Sequence, residues 1–297
     1  MPRNHIRRSR SDFVFDVINY ALLVIILILV MYPLYFILIA SVSDPNYTSS
    51  GQIWFFPKGI SLGGYAKLLK ETRVWIGYRN TIFYTVAGTA VNLLLTLPTA
   101  YALASKRFMP RNFVMFIFIF TMFFNGGLIP TYLVVRDLRL INTVWAMILP
   151  SALSVWNLVI ARTYFASSIP DEIEDAAFID GCTNTRLFVN IILPVSKPIV
   201  AAVALFYAVG HWNTYFDALI YLSKEKYYPL QLFLREFLIQ SQMTSMLGDQ
   251  SNWAQRVMQT EFLKYSTVVV STLPILVLYP FLQKYFVKGV MLGSIKG

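Results

Sequence analysis

Side chains able to bind a hydroxylated solute are concentrated at residues 211–217, which read His-Trp-Asn-Thr-Tyr-Phe-Asp inside an apolar stretch. Amides and carboxylates hydrogen-bond hydroxyl groups, while aromatic rings offer flat apolar faces for stacking. On a continuous helix Asn213 and Asp217 would share a face, as would His211 and Tyr215. An alternative interpretation, hydrogen bonding between helices in lipid, stays open. The candidate contacts are Asn213, Tyr215, Asp217 and Trp212, with Asn125 and Asn157 as lesser candidates.

Residue types needed for covalent or metal chemistry are scarce. The chain has one cysteine, Cys182, and two histidines, His5 and His211, so it can form no internal disulfide or thiolate metal cage. Neither Gly-x4-Gly-Lys-Ser/Thr nor His-Glu-x2-His occurs, and these are the usual motifs for binding phosphate and zinc. We therefore expect no catalytic residue, no metal ion and no cofactor bound by this chain.

Residues 168–197 form a second informative segment, for which the sequence predicts a hairpin of two short helices. The N-terminal signals of the first helix are Pro170 and the acidic residues Asp171, Glu172 and Glu174. Gly181 suits the left-handed conformation that ends a helix. The second helix is expected to begin near Asn184, with Thr183 as its N-cap, and to end before Pro194.

The two predicted helices differ in the surfaces they present. On the first, Ile173, Ala176 and Ala177 share a face, and two alanines on that face allow close approach by another protein. On the second, an apolar stripe is expected to pack back against the rest of the chain. The stripe consists of Leu187, Phe188, Ile191 and Ile192. A solvated loop that merely joins two apolar runs is the alternative.

The composition predicts that lipid is the solvent for most of the chain. Of the 297 residues 57% are apolar, 16% are aromatic and only 13% are charged, which is more apolar surface than a soluble domain could cover. The formal charge of +10 does not indicate nucleic acid binding, because the basic residues form no dense cluster beyond the first ten. The predicted fold is all-α, a polytopic membrane protein, since open-ended backbone in lipid must be helical.

Six apolar runs are long enough to cross a lipid bilayer. We expect spans near residues 17–41, 80–104, 112–134, 141–164, 198–221 and 265–286. The first run is too long for the core of a cleaved signal peptide and is expected to be retained. Four arginines near the N-terminus, together with Lys106, Arg107 and Arg111, indicate that these segments are cytoplasmic.

This orientation fixes the expected organisation of the chain. Residues 1–16 form a cytoplasmic tail and residues 17–297 a single membrane domain. The helix hairpin at 168–197 lies in the cytoplasm between spans four and five, and the 222–264 connection lies outside. Both termini are then cytoplasmic.

The hairpin sequence resembles the "EAA" loop of permease subunits of ATP-binding-cassette importers. The matching residues are Asp175, Ala176, Ala177, Asp180, Gly181, Ile191, Leu193 and Pro194. The chain departs from the family at Asp175, where a glutamate is usual, and it carries Glu174 one place earlier. Which of the two acids contacts the ATPase stays open.

Further segments resemble sugar permeases of the maltose-transporter type over nearly the whole chain. They are Asn80-Thr81, the stretches 100–105 and 284–297, and Trp212-Asn213. The stretch from Phe124 to Tyr132 resembles a branch associated with complex, often acidic oligosaccharides, such as those derived from pectin or alginate.

The resemblance implies a set of partners in the bacterial plasma membrane. They are a second permease subunit in a heterodimer, two ATPase subunits that bind ATP and Mg²⁺, an extracytoplasmic solute-binding protein, and an oligosaccharide substrate. The residues implied in ATPase contact are Glu174, Asp175, Ala176, Ala177, Asp180, Gly181, Leu193 and Pro194. An ion-coupled secondary transporter is the alternative, but the apolar runs contain few ionisable residues, among them His211, Asp217 and Arg162.

Overall fold

The computed structural model describes residues 10–247 and 263–277, and every element in these ranges is helical. This confirms the all-α prediction. The α-helices are α1 (Arg10–Ser41), α2 (Pro45–Ser49), α3 (Gly63–Lys70), α4 (Thr72–Ala104), α5 (Arg111–Phe123), α6 (Leu128–Asp137), α7 (Val155–Ser168), α8 (Asp171–Ile179), α9 (Asn184–Leu187), α10 (Leu193–Val195), α11 (Lys197–Trp212), α12 (Phe216–Tyr221), α13 (Leu230–Leu247) and α14 (Leu263–Val277). Short 3₁₀ helices at Val144–Met147 and Glu225–Tyr227 and a π-helical turn at Phe188–Ile192 complete the description.

The chain divides into two compact units. Of the described residues, one unit contains 10–70, 240–247 and 263–270, and its main element is α1. This helix is apolar on every side, and its buried residues are Ile39, Ala40 and Ser41, at its C-terminal end. A helix with so much exposed apolar surface requires a lipid or protein environment.

Of the described residues, the other unit contains 71–239 and 271–277, and it is built around α4. Helix α4 packs against α7 and α11. The core they share is formed by Leu97, Ala100, Leu103, Leu158, Ala161, Phe165, Ile199 and Val203. Residues of the predicted hairpin, including Ala177, Leu187 and Ile192, join the same core.

Helices α1 and α4 occupy the first two predicted spans, and both are long and apolar enough to cross a membrane. The third predicted span is divided into α5 and α6, whose axes are bent by 112°. The break lies at Asn125 and the two glycines that follow it. Gly127 has φ +81°, and its backbone N–H donates to Asn125 Oδ1 at 2.9 Å, so the local turn replaces helical bonding.

The fourth predicted span, at 141–164, consists of the 3₁₀ helix Val144–Met147, a non-helical segment and α7 from Val155 onward, so the prediction of one continuous helix is wrong. Asn142 has φ +60°, and Pro150 lacks a backbone donor. Ser154 then begins α7 as its N-cap, accepting a hydrogen bond from the backbone N–H of Asn157 at 3.4 Å.

The fifth predicted span, at 198–221, is also discontinuous. Helix α11 ends at Trp212 and α12 begins at Phe216. The backbone N–H and the side-chain amide of Asn213 both donate to the carbonyl of Val209, at 3.1 and 2.9 Å. An asparagine that bonds the preceding turn in this way competes with continuation of the helix.

The number of spans stays a prediction. Within the described residues two single helices are long and apolar enough to cross a membrane. Counting each of two bent pairs as one span raises the number to four. Of the sixth predicted span, 265–286, the part up to residue 277 belongs to α14, and the rest lies outside the described residues. The predicted boundaries of the tail and the membrane domain likewise stay predictions.

Candidate functional site

The 168–197 hairpin consists of α8 and a second helical stretch, Asn184–Val195, that includes α9, the π-helical turn and α10. Gly181 has φ +74° between them, and the hydroxyl of Thr183 accepts from the backbone N–H of Arg186 at 3.4 Å. The second helix continues through Pro194, so the prediction that it ends before this residue is wrong. The wider π-helical turn gives the proline ring room that a regular α-helical turn would not.

The exposed surface of α8 differs from the predicted one. Glu174 and Ala177 are buried and Ile173 is half-buried, whereas Ala176 is exposed and Ile179 is 86% exposed. The prediction that Ile173, Ala176 and Ala177 form one outward face is therefore wrong, because α8 is rotated so that 173 and 177 face the core. The exposed residues of α8 and its C-cap are Asp171, Glu172, Asp175, Ala176, Ile179 and Asp180.

The second hairpin helix packs inward as predicted. Leu187 and Ile192 are buried, and Phe188 and Ile191 are half-buried against the core of α4 and α7. Leu193 is half-buried, whereas Pro194 and Gly181 are exposed.

The two consecutive acids of α8 have different surroundings. Glu174 is 9% exposed, and its carboxylate accepts from the hydroxyls of Tyr101 at 2.8 Å and Ser105 at 3.4 Å. Asp175 points to solvent and accepts from Arg107 at 2.6 Å. Glu174 therefore holds α8 against the end of α4, and Asp175 is the accessible acid.

Two basic residues that follow α4 are paired with acids of α8. Lys106 donates to Asp171 Oδ2 at 2.5 Å, and this hydrogen bond raises the pKa of Lys106 above its usual value. Arg107, besides pairing with Asp175, places its guanidinium 4.1 Å from the centre of the Phe178 ring.

The solute candidates near residue 213 lie at the break between α11 and α12 rather than on one helix. The predicted shared faces are therefore wrong, although the assignment of these residues to a solute pathway stays a prediction. Trp212 is buried and donates from Nε1 to the carbonyl of Ser271 at 3.0 Å. Asn213 is exposed, and Asp217 is half-buried in the first turn of α12.

The remaining candidates lie on separate elements. The Tyr215 ring is 41% exposed, with the guanidinium of Arg235 5.5 Å from its centre. Asn125 is exposed at the break between α5 and α6, and Asn157 is buried in the first turn of α7. Tyr215 is thus an exposed aromatic ring at the α11–α12 break, next to the 51% exposed Phe216.

A buried polar group in the middle of α4 was missed by sequence reasoning. Asn92 donates from Nδ2 to the carbonyls of Ser151 and Ala152, both at 2.8 Å, and its Oδ1 lies 2.7 Å from His211 Nε2. A Cβ atom on Gly88 would lie less than 3 Å from three atoms of this imidazole. The available signal was an amide within an apolar run, which in lipid requires partners.

The hydroxyl of Tyr207 also hydrogen-bonds to the non-helical segment before α7. It accepts from the backbone N–H of Ser154 at 2.9 Å and is hydrogen-bonded to the hydroxyl of Thr96 at 2.7 Å. Three backbone groups at the break before α7, the carbonyls of Ser151 and Ala152 and the N–H of Ser154, are thus bonded by α4 and α11.

The N-terminal half of α4 bonds to residues 226–230. Asn80 donates from Nδ2 to the carbonyls of Lys226 and Tyr228, at 2.8 and 3.0 Å. The hydroxyl of Thr81 accepts from the backbone N–H of Leu230 at 2.9 Å. The Asn80-Thr81 pair singled out in the sequence therefore fastens this segment to α4.

The chain is similar to two proteins of Bacillus subtilis (strain 168). It is 40% identical to protein LplC over 289 residues, which cover 97% of each chain. It is 38% identical to the polygalacturonan/rhamnogalacturonan transport system permease protein YtcP over 284 residues, covering 95% of this chain and 98% of that one.

A solved structure is also similar, that of a bacterial ABC transporter involved in the import of the acidic polysaccharide alginate. The TM-score is 0.84 at 33% identity, and the match covers 94% of this chain and 99% of the other. Similarity over nearly the full length supports the predicted helical permease fold.

Residues 74–292 match the family model described as the inner membrane component of binding-protein-dependent transport systems. The match confirms the resemblance predicted from the sequence and does not favour an ion-coupled secondary transporter. Permease subunits of this family have no intrinsic catalysis, which agrees with the expected lack of an enzymatic role. The chain belongs to the family of inner membrane components of binding-protein-dependent transport systems.

Proposed function

We propose that this chain is one permease subunit of an ATP-binding-cassette importer for an oligosaccharide. Its partners are a second permease subunit, two ATPase subunits that bind ATP and Mg²⁺, and an extracytoplasmic solute-binding protein. It lies in the bacterial plasma membrane, with both termini and the 168–197 hairpin in the cytoplasm. The observation that carries the proposal is the hairpin itself, whose inner side is buried in the core while one face of α8 stays exposed.

The exposed face of α8 is the contact surface that we assign to the ATPase. It presents Asp175, Ala176 and Ile179, with Asp180 beside them. Ala176 and Ile179 are uncharged, and Ala176 is small enough to allow a close approach. We assign the charged contact to Asp175 because the carboxylate of Glu174 is occupied by Tyr101 and Ser105.

The remaining residues of the implied ATPase set support this surface or lie beside it. Glu174 and Ala177 fasten α8 from within, Gly181 sets the angle between the helices, and the exposed Pro194 lies near the end of the hairpin with Leu193. ATP-driven movement of the ATPase subunits would displace the hairpin as one packed piece, which is how small shifts become domain rearrangements.

We propose an acidic oligosaccharide as the substrate. The proposal is supported by the relatives, since YtcP is named for polygalacturonan and rhamnogalacturonan and the similar structure for alginate. Within this chain the break between α11 and α12 offers an exposed amide on Asn213 and an exposed ring on Tyr215. Such groups suit hydroxyl bonding and stacking by a sugar.

Cysteine cross-linking tests the ATPase contact. In a Cys182→Ser background, Ala176→Cys and Ala177→Cys place neighbouring thiols on the exposed and the buried side of α8. We expect Ala176→Cys to cross-link to a cysteine introduced in the ATPase cleft and Ala177→Cys not to do so. Equal cross-linking of both variants, or none from Ala176→Cys in an assembled complex, would contradict the assignment.

Transport by the purified importer tests the function itself. The complex is reconstituted in proteoliposomes with its binding protein, and uptake of a labelled oligogalacturonide is compared with that of an uncharged maltooligosaccharide. We expect uptake of the acidic sugar to require ATP. Uptake driven by an ion gradient without ATP would refute the importer, and preference for the neutral sugar would refute the substrate class.

A further inference from the structure

Tyr101, in the last turn of α4, contacts both helices of the 168–197 hairpin. Its hydroxyl donates to Glu174 Oε1 in α8 at 2.8 Å. Its ring stacks on Phe188 of the second hairpin helix, with ring centres 5.4 Å apart and planes inclined by 30°. The same ring meets the edge of Phe165 in α7 at 5.9 Å. One side chain thus joins α4 to α7 and to both helices of the hairpin.

The bond between Tyr101 and Glu174 is a less exposed part of the attachment between α4 and α8, since Glu174 is buried and Tyr101 is half-buried. The ion pairs that Lys106 and Arg107 form with α8 join side chains that are all more than half exposed. Water and salt weaken such exposed pairs, whereas a hydrogen bond to a carboxylate is roughly twice as strong as a neutral one. We therefore expect the half-buried bond to persist when the exposed acids bind another protein.

The rest of α4 is bonded to segments far from the hairpin. Asn92 bonds to the irregular segment before α7, and Asn80 bonds to residues 226–230. Helix α4 is unbroken from Thr72 to Ala104, with Pro98 inside it, so a displacement at Tyr101 that the helix transmits along its axis would reach both segments. The packed contacts form a contiguous route between the hairpin and residues 226–230, and coupling along it is measurable.

We propose that Tyr101, through its hydrogen bond to Glu174, is the positioning residue that makes α4 follow the hairpin during the transport cycle. The inference rests on the proposed function, since an ATPase must move the hairpin. Residues 226–230 belong to the 222–264 connection, which we expect to lie outside, on the same side of the membrane as the binding protein. By thermodynamic reciprocity, a binding protein that displaces this segment then changes the conformation offered to the ATPase.

The test uses Tyr101→Phe, which removes the hydroxyl and keeps the ring. Uptake of the labelled oligogalacturonide and hydrolysis of ATP are measured on the same proteoliposomes, normalised to assembled complex. We expect the sugar transported per ATP to fall by roughly fivefold or more, the lower end of typical allosteric coupling. The matched control is Tyr164→Phe, because the ring of Tyr164 also packs on Phe165, at 6.1 Å. This control should keep the wild-type ratio.

A second variant, Glu174→Gln, keeps an acceptor oxygen and should give an intermediate ratio. The double variant should be no worse than Tyr101→Phe alone, because both changes affect one bond. A wild-type ratio for Tyr101→Phe, or additive losses in the double variant, would overturn the inference. Failure of Tyr101→Phe to assemble while Tyr164→Phe assembles would also overturn it, since the role would then be structural. A wild-type complex without ATP-dependent uptake would instead refute the proposed function.

Discussion

Glu174 and Asp175 show how two neighbouring carboxylates acquire separate roles. Successive helical residues point about 100° apart, so one can be buried while the next is exposed. Tyr101 and Ser105 supply donors to the inner acid, whereas the outer acid bonds an arginine that is itself half exposed. Removing the inner acid would leave its donors unpaired, and removing the outer one would leave the fold intact.

We predict that Asp175→Ala lowers uptake without lowering stability. The pair between Asp175 and Arg107 is exposed, and such pairs contribute about 0–1 kcal/mol. The melting temperature of the purified complex should therefore match that of Asp137→Ala, which removes another exposed ion pair, with Arg136. Uptake should fall in Asp175→Ala alone. A fall of equal size in both variants would mean that loss of surface charge, not ATPase contact, is responsible.

We predict that Asn92→Ala destabilises the membrane domain. The change leaves the carbonyls of Ser151 and Ala152 and a nitrogen of His211 without their partner. Of these partners His211 is buried, and a buried group left unpaired costs about 1–3 kcal/mol, so thermal unfolding in detergent should begin several degrees lower. The control is Asn213→Ala, whose exposed side chain bonds only within its own helix turn. Indistinguishable unfolding of the two variants would contradict the prediction.

At the scale of elements, the breaks in the helices were harder to predict than the helices. Hydropathy reports how a segment partitions into lipid, and it correctly located α1 and α4. It does not report where a backbone carbonyl finds an alternative donor. The break before α7 depends on Asn92, about sixty residues earlier in the chain, and the break after α11 depends on the amide of Asn213.

The hairpin was more predictable because its signals are local. Pro170, the N-cap Thr183 and Gly181 act within one helical turn of their own positions, and the helices begin where they indicate. The rotation of α8 about its axis could not be predicted, because it depends on the hydroxyl of Tyr101 in another helix.

We predict that Gly181→Ala weakens the hairpin through backbone strain alone. Gly181 has φ +74°, and an added Cβ would meet no atom within 4 Å, so no clash contributes. The left-handed conformation should cost about 1–2 kcal/mol with alanine and less with asparagine. Amide hydrogen exchange of α8 should speed up in the order Gly, Asn, Ala. The control is Gly210→Ala, where an added Cβ also meets no atom within 4 Å but φ is not positive, and it should leave this exchange unchanged. Slower exchange with alanine than with asparagine at position 181 would exclude backbone strain as the cause.

At the scale of the whole molecule, the bonding sites along α4 match the thickness of a membrane. Asn80 and Tyr101 are about twenty residues apart, which corresponds to roughly 30 Å of helix. The hydrocarbon core of a bilayer is about as thick. Residues 226–230 and the 168–197 hairpin, which bond to these two positions, are therefore expected at opposite membrane surfaces.

Labelling of intact cells tests this arrangement. In the Cys182→Ser background, Lys224→Cys and Ala176→Cys each place one thiol at an exposed position. A membrane-impermeant maleimide should label Lys224→Cys in intact cells and Ala176→Cys only after the membrane is opened. Labelling of both in intact cells, or the reverse pattern, would contradict the proposed orientation.

The close approach of Gly88 to His211 has an evolutionary consequence. Any side chain at position 88 would occupy the space of the imidazole, so the two positions cannot vary independently. A homologue that carries alanine at the first position must carry a smaller residue at the second, and it must supply Asn92 with another partner. Substitutions at these three sites are expected to occur together when related sequences are compared.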